Sequence, residues 1–505
     1  MAFRGSKRKY PFEKSVDLGY RGVNAARLGH LIDDSEVQDA VNWWISPEGR
    51  VSTRWGVDAF LDEPLPDGVK GIWHYHAMNR ILVAAGNKLY SALLTGGEAT
   101  LLGTLNLGSA TYPITGVNFQ GNFFVAAGGK IQYFDGTEIK DIIKDANSND
   151  VPESAAAVFV WLNRLWIAEA NSSTIHYSGA LDFTDWGRSP SAPEGEGLLL
   201  NGGSFSVNAN DGGYITGLST FDGQLVVFKN GPRPSIYRIL GMTSESFEPD
   251  AIAYGLSISD ARNVVDYDVD TFFGSDNGVY SMRIVGQVGN TESIPLSLKI
   301  RSHVRGALPR SMAFDTALGY LLVVMTDGDV WVFHPSTESW FRWVLTDISA
   351  TVAASINDSV MWGASDGQIY IYKESVNQDN GAIFYRTMVD KSRDFGSTRN
   401  LYINDIVLDI LYHTDGDTWL EVYNNYGNQK VARKLHSSSG TEGDPLDEGL
   451  LDDMFFDSDA VNQQVLFEVE LPLNDCTLVI KTSAKVVLAD VCFRGSGMHK
   501  RGVEI

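Results

Sequence analysis

Cysteine is nearly absent from this 505-residue chain: Cys476 and Cys492 are its two, too few for a disulfide framework. They lie in neighbouring apolar segments, where a free thiol acts as a small core hydrophobe in a reducing compartment. Contact between them would still permit one bridge. Long apolar runs are lacking as well. No stretch approaches the roughly 20 residues needed to span a bilayer, so no membrane segment is expected. Residues 1–15 are basic but have no apolar core like that of a secretion signal, so assembly in a cytoplasm is expected. Positive charge is scarce, with 40 Lys and Arg against 63 Asp and Glu and a formal net charge of −23. Such a surface repels polyanions and offers no basic face for reading nucleic acid. Helical signals are scarce too. One helix is expected near residues 34–44, with Asp34 or Ser35 as cap and Glu36 in the first turn.

What is present is apolar, aromatic and rich in turns: 44% hydrophobic, 11% aromatic and 50 glycines, enough for a large core joined by tight turns. From about residue 71 to 372 one pattern recurs. An apolar strand is followed by an Asn, Asp or Gly turn, a second and almost wholly apolar strand, a Gly turn, and a strand ending on an aromatic. Those aromatics are Tyr90, Tyr133, Tyr177, Tyr237, Tyr280, Trp331 and Tyr370, spaced 39 to 60 residues apart. Units of about 40–50 residues with several strands each mark a β-propeller. Each small sheet has two apolar faces, and packing blade on blade around an axis buries both. The fold expected is therefore all-β, a propeller of six to seven blades. A set of unrelated hairpins in sandwiches is the alternative that the regular spacing opposes.

Outside residues 61–372 the character changes. Strands resume at Ile403–Tyr412, Thr418–Tyr423, Val465–Leu471, Thr477–Ile480 and Val486–Phe493, most of them alternating apolar with polar residues. They predict a β-sandwich-like domain over 373–505. Its insertion, 434–462, carries Asp444, Asp447, Glu448, Asp452 and Asp453, and no Lys or Arg falls between Lys434 and Lys481. Carboxylates suit Ca²⁺, but the regular spacing of a loop site is missing, so a solvated like-charged loop is expected. At the other end, residues 1–60 form an N-terminal segment whose arm carries Arg4, Lys7, Arg8, Lys9 and Lys14. It reads as a solvated tail or as a tether to an acidic neighbour.

Catalytic patterns are weak, and neither enzymatic activity nor a cofactor is expected. Ser275–Tyr280 and Ser365–Tyr370 resemble the Asp-box turns of sialidase-type propellers, with Thr326–Trp331 a looser copy; such turns are structural even in enzymes. No acid and nucleophile pair for glycoside cleavage stands out. His74 and His76 share a strand face and could begin a metal site, but no third ligand is spaced to complete it. Asp394-Phe395-Gly396 matches a kinase tripeptide without the accompanying loops, and Gly495-Ser496-Gly497 lacks the helix of a nucleophile elbow.

The N-terminal segment adds one specific pattern. Gly22-Val23-Asn24, then Asp39-Ala40-Val41-Asn42-Trp43, then Gly49-Arg50-Val51-Ser52-Thr53-Arg54-Trp55-Gly56 looks like the opening of phage tail proteins, as does Leu181-Asp182-Phe183-Thr184-Asp185-Trp186 after a blade strand. With propeller-like repeats and a β-rich tail, the chain resembles the tail nozzle proteins of short-tailed bacteriophages, also called tail tubular protein B or DNA-stabilisation proteins. The resemblance implies a homo-oligomeric ring, a hexamer, in the virion tail. It would dock to an adaptor or tail-tube protein above and carry tail fibres or spikes at its rim, with genomic DNA passing through without specific binding. Two alternatives remain open: a glycan-binding or glycan-cleaving propeller at the virion surface, and a siphophage baseplate propeller.

Overall fold

The computed structural model describes residues 12–108, 112–187, 189, 202–267, 270–288, 294–393, 401–414, 416–424, 429–437, 461–473 and 476–497. The chain divides into two units. One comprises Asp58–Trp331 and Asp347–Tyr372; the other comprises Met1–Val57, Val332–Thr346 and Lys373–Ile505. The propeller span expected at 61–372 thus compares with a unit interrupted at 332–346, and both chain termini belong to the other unit.

The first unit is a β-propeller of seven blades. Blades one to four are four-stranded and antiparallel. They begin at Val69–Tyr75, Thr115–Phe119, Ala157–Trp161 and Tyr214–Phe221, and their outermost strands are Thr100–Thr104, Ile139–Asp141, Gly203–Ser206 and Glu248–Tyr254. Among the described residues blade five has three strands, Val264–Tyr267, Asp270–Ser275 and Gly278–Ser281, and the chain then turns into the short helix Met282–Val288. Asp270 makes that exit possible: its carboxylate accepts from the Arg283 backbone N–H at 3.0 Å and from the Ser281 hydroxyl. Blade six runs through Pro309–Asp315, Tyr320–Met325 and Val330–His334. Blade seven, Ala350–Ile356, Ser359–Ala364 and Ile369–Lys373, takes its outer strand from Gly56–Ala59. The first strand of each blade lies against the first strand of the next, and Ala350–Ile356 lies against Val69–Tyr75, so the ring closes.

The repeats read from sequence map onto this directly. Each terminal aromatic sits on the third strand of its blade. All are buried except half-buried Tyr133. The almost wholly apolar run is the second strand; Leu82, Phe124, Trp166, Val227, Phe273, Leu322 and Trp362 are all fully buried there. Apolar clusters fill the seams between blades, such as Tyr75, Leu82, Phe123, Val125 and Phe134 between blades one and two. Adjacent first strands are stitched by short polar side chains. The Thr115 hydroxyl accepts from Val158 N–H (3.2 Å), Asn118 Nδ2 donates to His74 O (2.8 Å), and the Thr351 hydroxyl donates to Val69 O (2.6 Å).

Among its described residues the second unit holds strands of two sheets. One orders Trp43–Ile45, Val51–Thr53, Val486–Gly497, Leu401–Tyr412 and Val461–Leu473, with Phe12–Val16 also pairing Val486–Gly497. The other orders Ser339–Trp343, Asp39–Val41, Arg386–Val389, Cys476–Thr482, Gly416–Asn424 and Gln429–Ser437. Strand Cys476–Thr482 alternates buried and more exposed residues, as a sheet with one covered face requires. Cys476 and Cys492 are both free and buried.

The helix expected near 34–44 is not formed. Neither Asp34 nor Ser35 acts as the expected cap; cap-like bonds form from Asp33, the Glu36 carboxylate accepting from Asp33 N–H at 3.1 Å and the Asp33 carboxylate from Ser35 N–H at 3.0 Å. The chain then continues as strand Asp39–Val41, passes through Asn42 with φ of 63°, and enters strand Trp43–Ile45. The β-branched and aromatic residues after the cap fit sheet positions better than another helical turn.

Candidate functional site

The first strands of the seven blades enclose an axial cavity of about 640 Å³, which every blade helps to line. Its wall alternates small residues (Gly71, Gly116, Ser219, Ala313, Ala353) with large ones such as Trp73, Phe159 and Phe314. Two of the glycines are required by packing. A Cβ on Gly71 would fall 2.0 Å from the Trp73 ring, and one on Gly116 would fall 2.3 Å from the Phe123 ring. Stitching bonds from 311 to 353, from 315 to 355 and from 74 to 118 show that the first strands run the same way round the ring. Their starts therefore gather at one end of the cavity and their finishes at the other.

The starting end carries cations. Arg262, just before the first strand of blade five, pairs with Asp260 through Nε (2.9 Å) and Nη2 (2.5 Å) and donates from Nη1 to the Lys70 carbonyl (3.0 Å). Lys70 belongs to blade one, so this guanidinium bridges across the axis. Three of its five N–H groups are used, which leaves two available. Arg310 stands beside it, half-buried and with no hydrogen-bond or ion-pair partner among the described residues. Burial first, then repulsion from Arg262, pulls its pKa below the usual arginine value.

The finishing end is different. His74 and His76 lie there with ring centroids 4.4 Å apart, and His74 Nε2 is 3.0 Å from Asn79 Oδ1. His76 is exposed. Asp266 accepts from the Thr220 hydroxyl, and Asn118 braces the His74 carbonyl. Among the described residues no group of three His, Cys, Asp or Glu side chains could hold a metal ion.

The turns resembling Asp boxes are punctuation. Asp366 Oδ1 accepts from Gln368 N–H at 2.9 Å, its Oδ2 accepts from the Tyr370 hydroxyl at 2.8 Å, and Gly367 takes φ of 87°. In Leu181–Trp186, Asp182 Oδ1 caps Thr184 N–H (2.9 Å) while Trp186 is buried. Ser496 lies in the ladder opposite Tyr402, not at a strand-to-helix turn.

The opening pattern converges within the second unit. Arg54 and Asp379, both fully buried, pair at 2.6 and 2.8 Å. Arg54 also donates to Asn42 Oδ1 (2.9 Å) and to Val344 O (2.8 Å), and it lies over the Phe384 ring. Asn42 Nδ2 donates to Tyr385 O (2.8 Å) and Asn24 Nδ2 to the Glu36 carboxylate (2.7 Å). Gly22 and Gly56 pack so tightly that an added Cβ would sit 2.6 Å from Trp340 O and 1.9 Å from Gln378 O respectively.

Of the candidate interaction residues, Lys14 pairs with Asp34 at 2.5 Å. Burial raises the pKa of Asp34, but hydrogen bonds from Lys14 and Lys391 outweigh it and hold the group at about 2. Arg4, Lys7, Arg8 and Lys9, like Asp444, Asp447, Glu448, Asp452 and Asp453, lie outside the described residues, as does Asp394-Phe395-Gly396. The axial cavity and the Arg262 strut escaped sequence reading because each blade supplies only a few wall residues. No helix among the described residues is long and apolar enough to cross a membrane.

No family model matches the chain, and no curated protein does. Similar solved structures include the extracellular domain of a putative hybrid two-component system from B. thetaiotaomicron, at 14% identity and a TM-score of 0.42 over 69% of this chain. The match spans 43% of that protein's length. The computationally designed Ika8 protein matches at 12% identity and a TM-score of 0.38, over 62% of this chain and 99% of its own. A mitotic checkpoint complex matches at 13% and 0.40, over 63% and 93%.

Proposed function

We propose that this chain is a structural component of a short-tailed phage tail, a nozzle subunit that assembles with copies of itself into a ring around the path of DNA exit. The reading is carried by the opening pattern. Gly22, Asn24, Asn42, Arg54 and Gly56, the residues on which the resemblance rests, are all interior fixtures of one unit. They therefore act as a scaffold signature, where an enzyme's signature would line a cleft. The net charge of −23 fits a surface past which DNA slides without being held, since each Lys or Arg contact to phosphate adds salt-dependent affinity.

The axis of the propeller is not that path. Its cavity is about 640 Å³ and Arg262 bridges it, whereas the major groove of a duplex is by itself about 12 Å wide. The lumen in this reading lies between subunits. An adaptor or tail-tube protein above and fibres or spikes at the rim are the partners it calls for, and the virion tail is the location. Electron microscopy of the purified full chain, alone and after mixing with virion tails that lack it, tests the reading. Closed rings with a central opening, or restored tails, are expected. A chain that stays monomeric and does not join the tails overturns it.

A further inference from the structure

The axial cavity has a polarity that the nozzle reading does not use. At its starting end Arg262 lines the cavity, Arg310 is close enough to be repelled by it, and the neighbouring carboxylate, Asp260, has both oxygens taken by Arg262. Two guanidinium N–H groups of Arg262 and the whole of Arg310 are left without a partner among the described residues, in a chain whose net charge is −23. A half-buried cation with no partner costs folding free energy unless something pairs with it. The middle of the cavity is apolar: Trp73, Val117, Phe159, Val265 and Phe314 face it. Its far end carries exposed Asp266 and two imidazoles.

We propose that this cavity binds a small organic anion. Its carboxylate, phosphate or sulfonate head sits against Arg262 and Arg310, and its apolar or aromatic body lies along the wall of the propeller axis. Asp266 at the opposite end sets the direction, because a head placed there would meet like charge. The head needs only the donors that Asp260 leaves over. The cavity volume accommodates a body of one or two rings. Since Arg262 ties blade five to blade one, occupancy also braces the ring across its axis.

The test uses the full chain and two probes, 1-anilinonaphthalene-8-sulfonate and its uncharged relative N-phenyl-1-naphthylamine, followed by energy transfer from tryptophan. Saturable one-to-one binding of the sulfonate is expected, with the neutral probe about tenfold weaker, the usual scale for a hydrogen bond to a charged group. Arg310→Gln removes a cation that holds no structural bond and should weaken the sulfonate several-fold while leaving the neutral probe unchanged. Val265→Trp fills the cavity and should weaken both probes about tenfold or more, as overpacking of a filled site does. Each variant is compared at equal thermal stability. Unsaturable binding, or sulfonate binding indifferent to both substitutions, overturns the proposal. Equal affinity for the two probes overturns the anion selectivity and with it the role of Arg310.

Discussion

Arg54 has no exposed surface and five hydrogen bonds, two of them to the equally buried Asp379. Burying a charged pair is costly, but once it is buried, removing one partner strands the other. Arg54→Met should therefore cost about 3–5 kcal/mol, read as a shift in the denaturant midpoint of the second unit. The double variant Arg54→Met/Asp379→Leu should recover much of that loss. Lys485 poses the opposite problem. Its ammonium is buried against the Ser52 hydroxyl and Thr53 carbonyl, over the Trp55 ring and near Arg386, with Glu48 and Glu374 farther off. Desolvation, then repulsion from Arg386, brings its pKa down to about 7 from 10.5. Between those two values the unfolded chain binds a proton that the folded chain does not, so stability rises with pH across that window. Relative to a Lys485→Met variant, the wild type should gain stability from pH 7 towards pH 10 and show no such gain below pH 6. A flat difference across the range would contradict the assignment.

At the scale of elements, closure of the propeller rests on the seam between blades seven and one. Phe60 donates its N–H to Ile369 O at 2.8 Å and buries its ring among Leu65, Val83, Tyr90, Met361 and Ile369. Phe60→Ala should cost about 3–5 kcal/mol, and hydrogen exchange should quicken first across Ile369–Lys373. The blades were legible in sequence because each of the seven terminal aromatics falls on a third strand, at a spacing that strand and turn lengths impose. The segment near 34–44 misled because Asp33 and Glu36 make the hydrogen bonds of a helix cap with no helix behind them. The three-stranded form of blade five, among the described residues, was hidden for a related reason. Gly278–Ser281 ends like every other third strand, and the device that diverts the chain, Asp270, lies on the preceding one. Of the candidate site, the two histidines were visible; the Arg262 strut was not. Its partner Lys70 is 192 positions away in sequence, and no local pattern encodes a bond across a ring axis.

For the whole molecule, charge and topology constrain function together. If the acidic balance and the bridged propeller axis keep DNA from being held, the full-length protein should leave the mobility of a duplex unchanged even in buffers near 50 mM salt, where electrostatic binding is strongest. Retardation that fades with added salt would point to a basic surface elsewhere. The manner of closure also governs how the chain can be made. Strand Gly56–Ala59 leaves the ribosome early, yet its partner Ile369–Lys373 arrives about 310 residues later. At translation rates of roughly 5–20 residues per second, the first strand waits some tens of seconds with one ladder edge open. The propeller is then a clock as well as a ring. Six blades can be complete while the molecule is still unlocked, and a nascent chain stalled before Ile369 should present that edge to any neighbour able to pair with it.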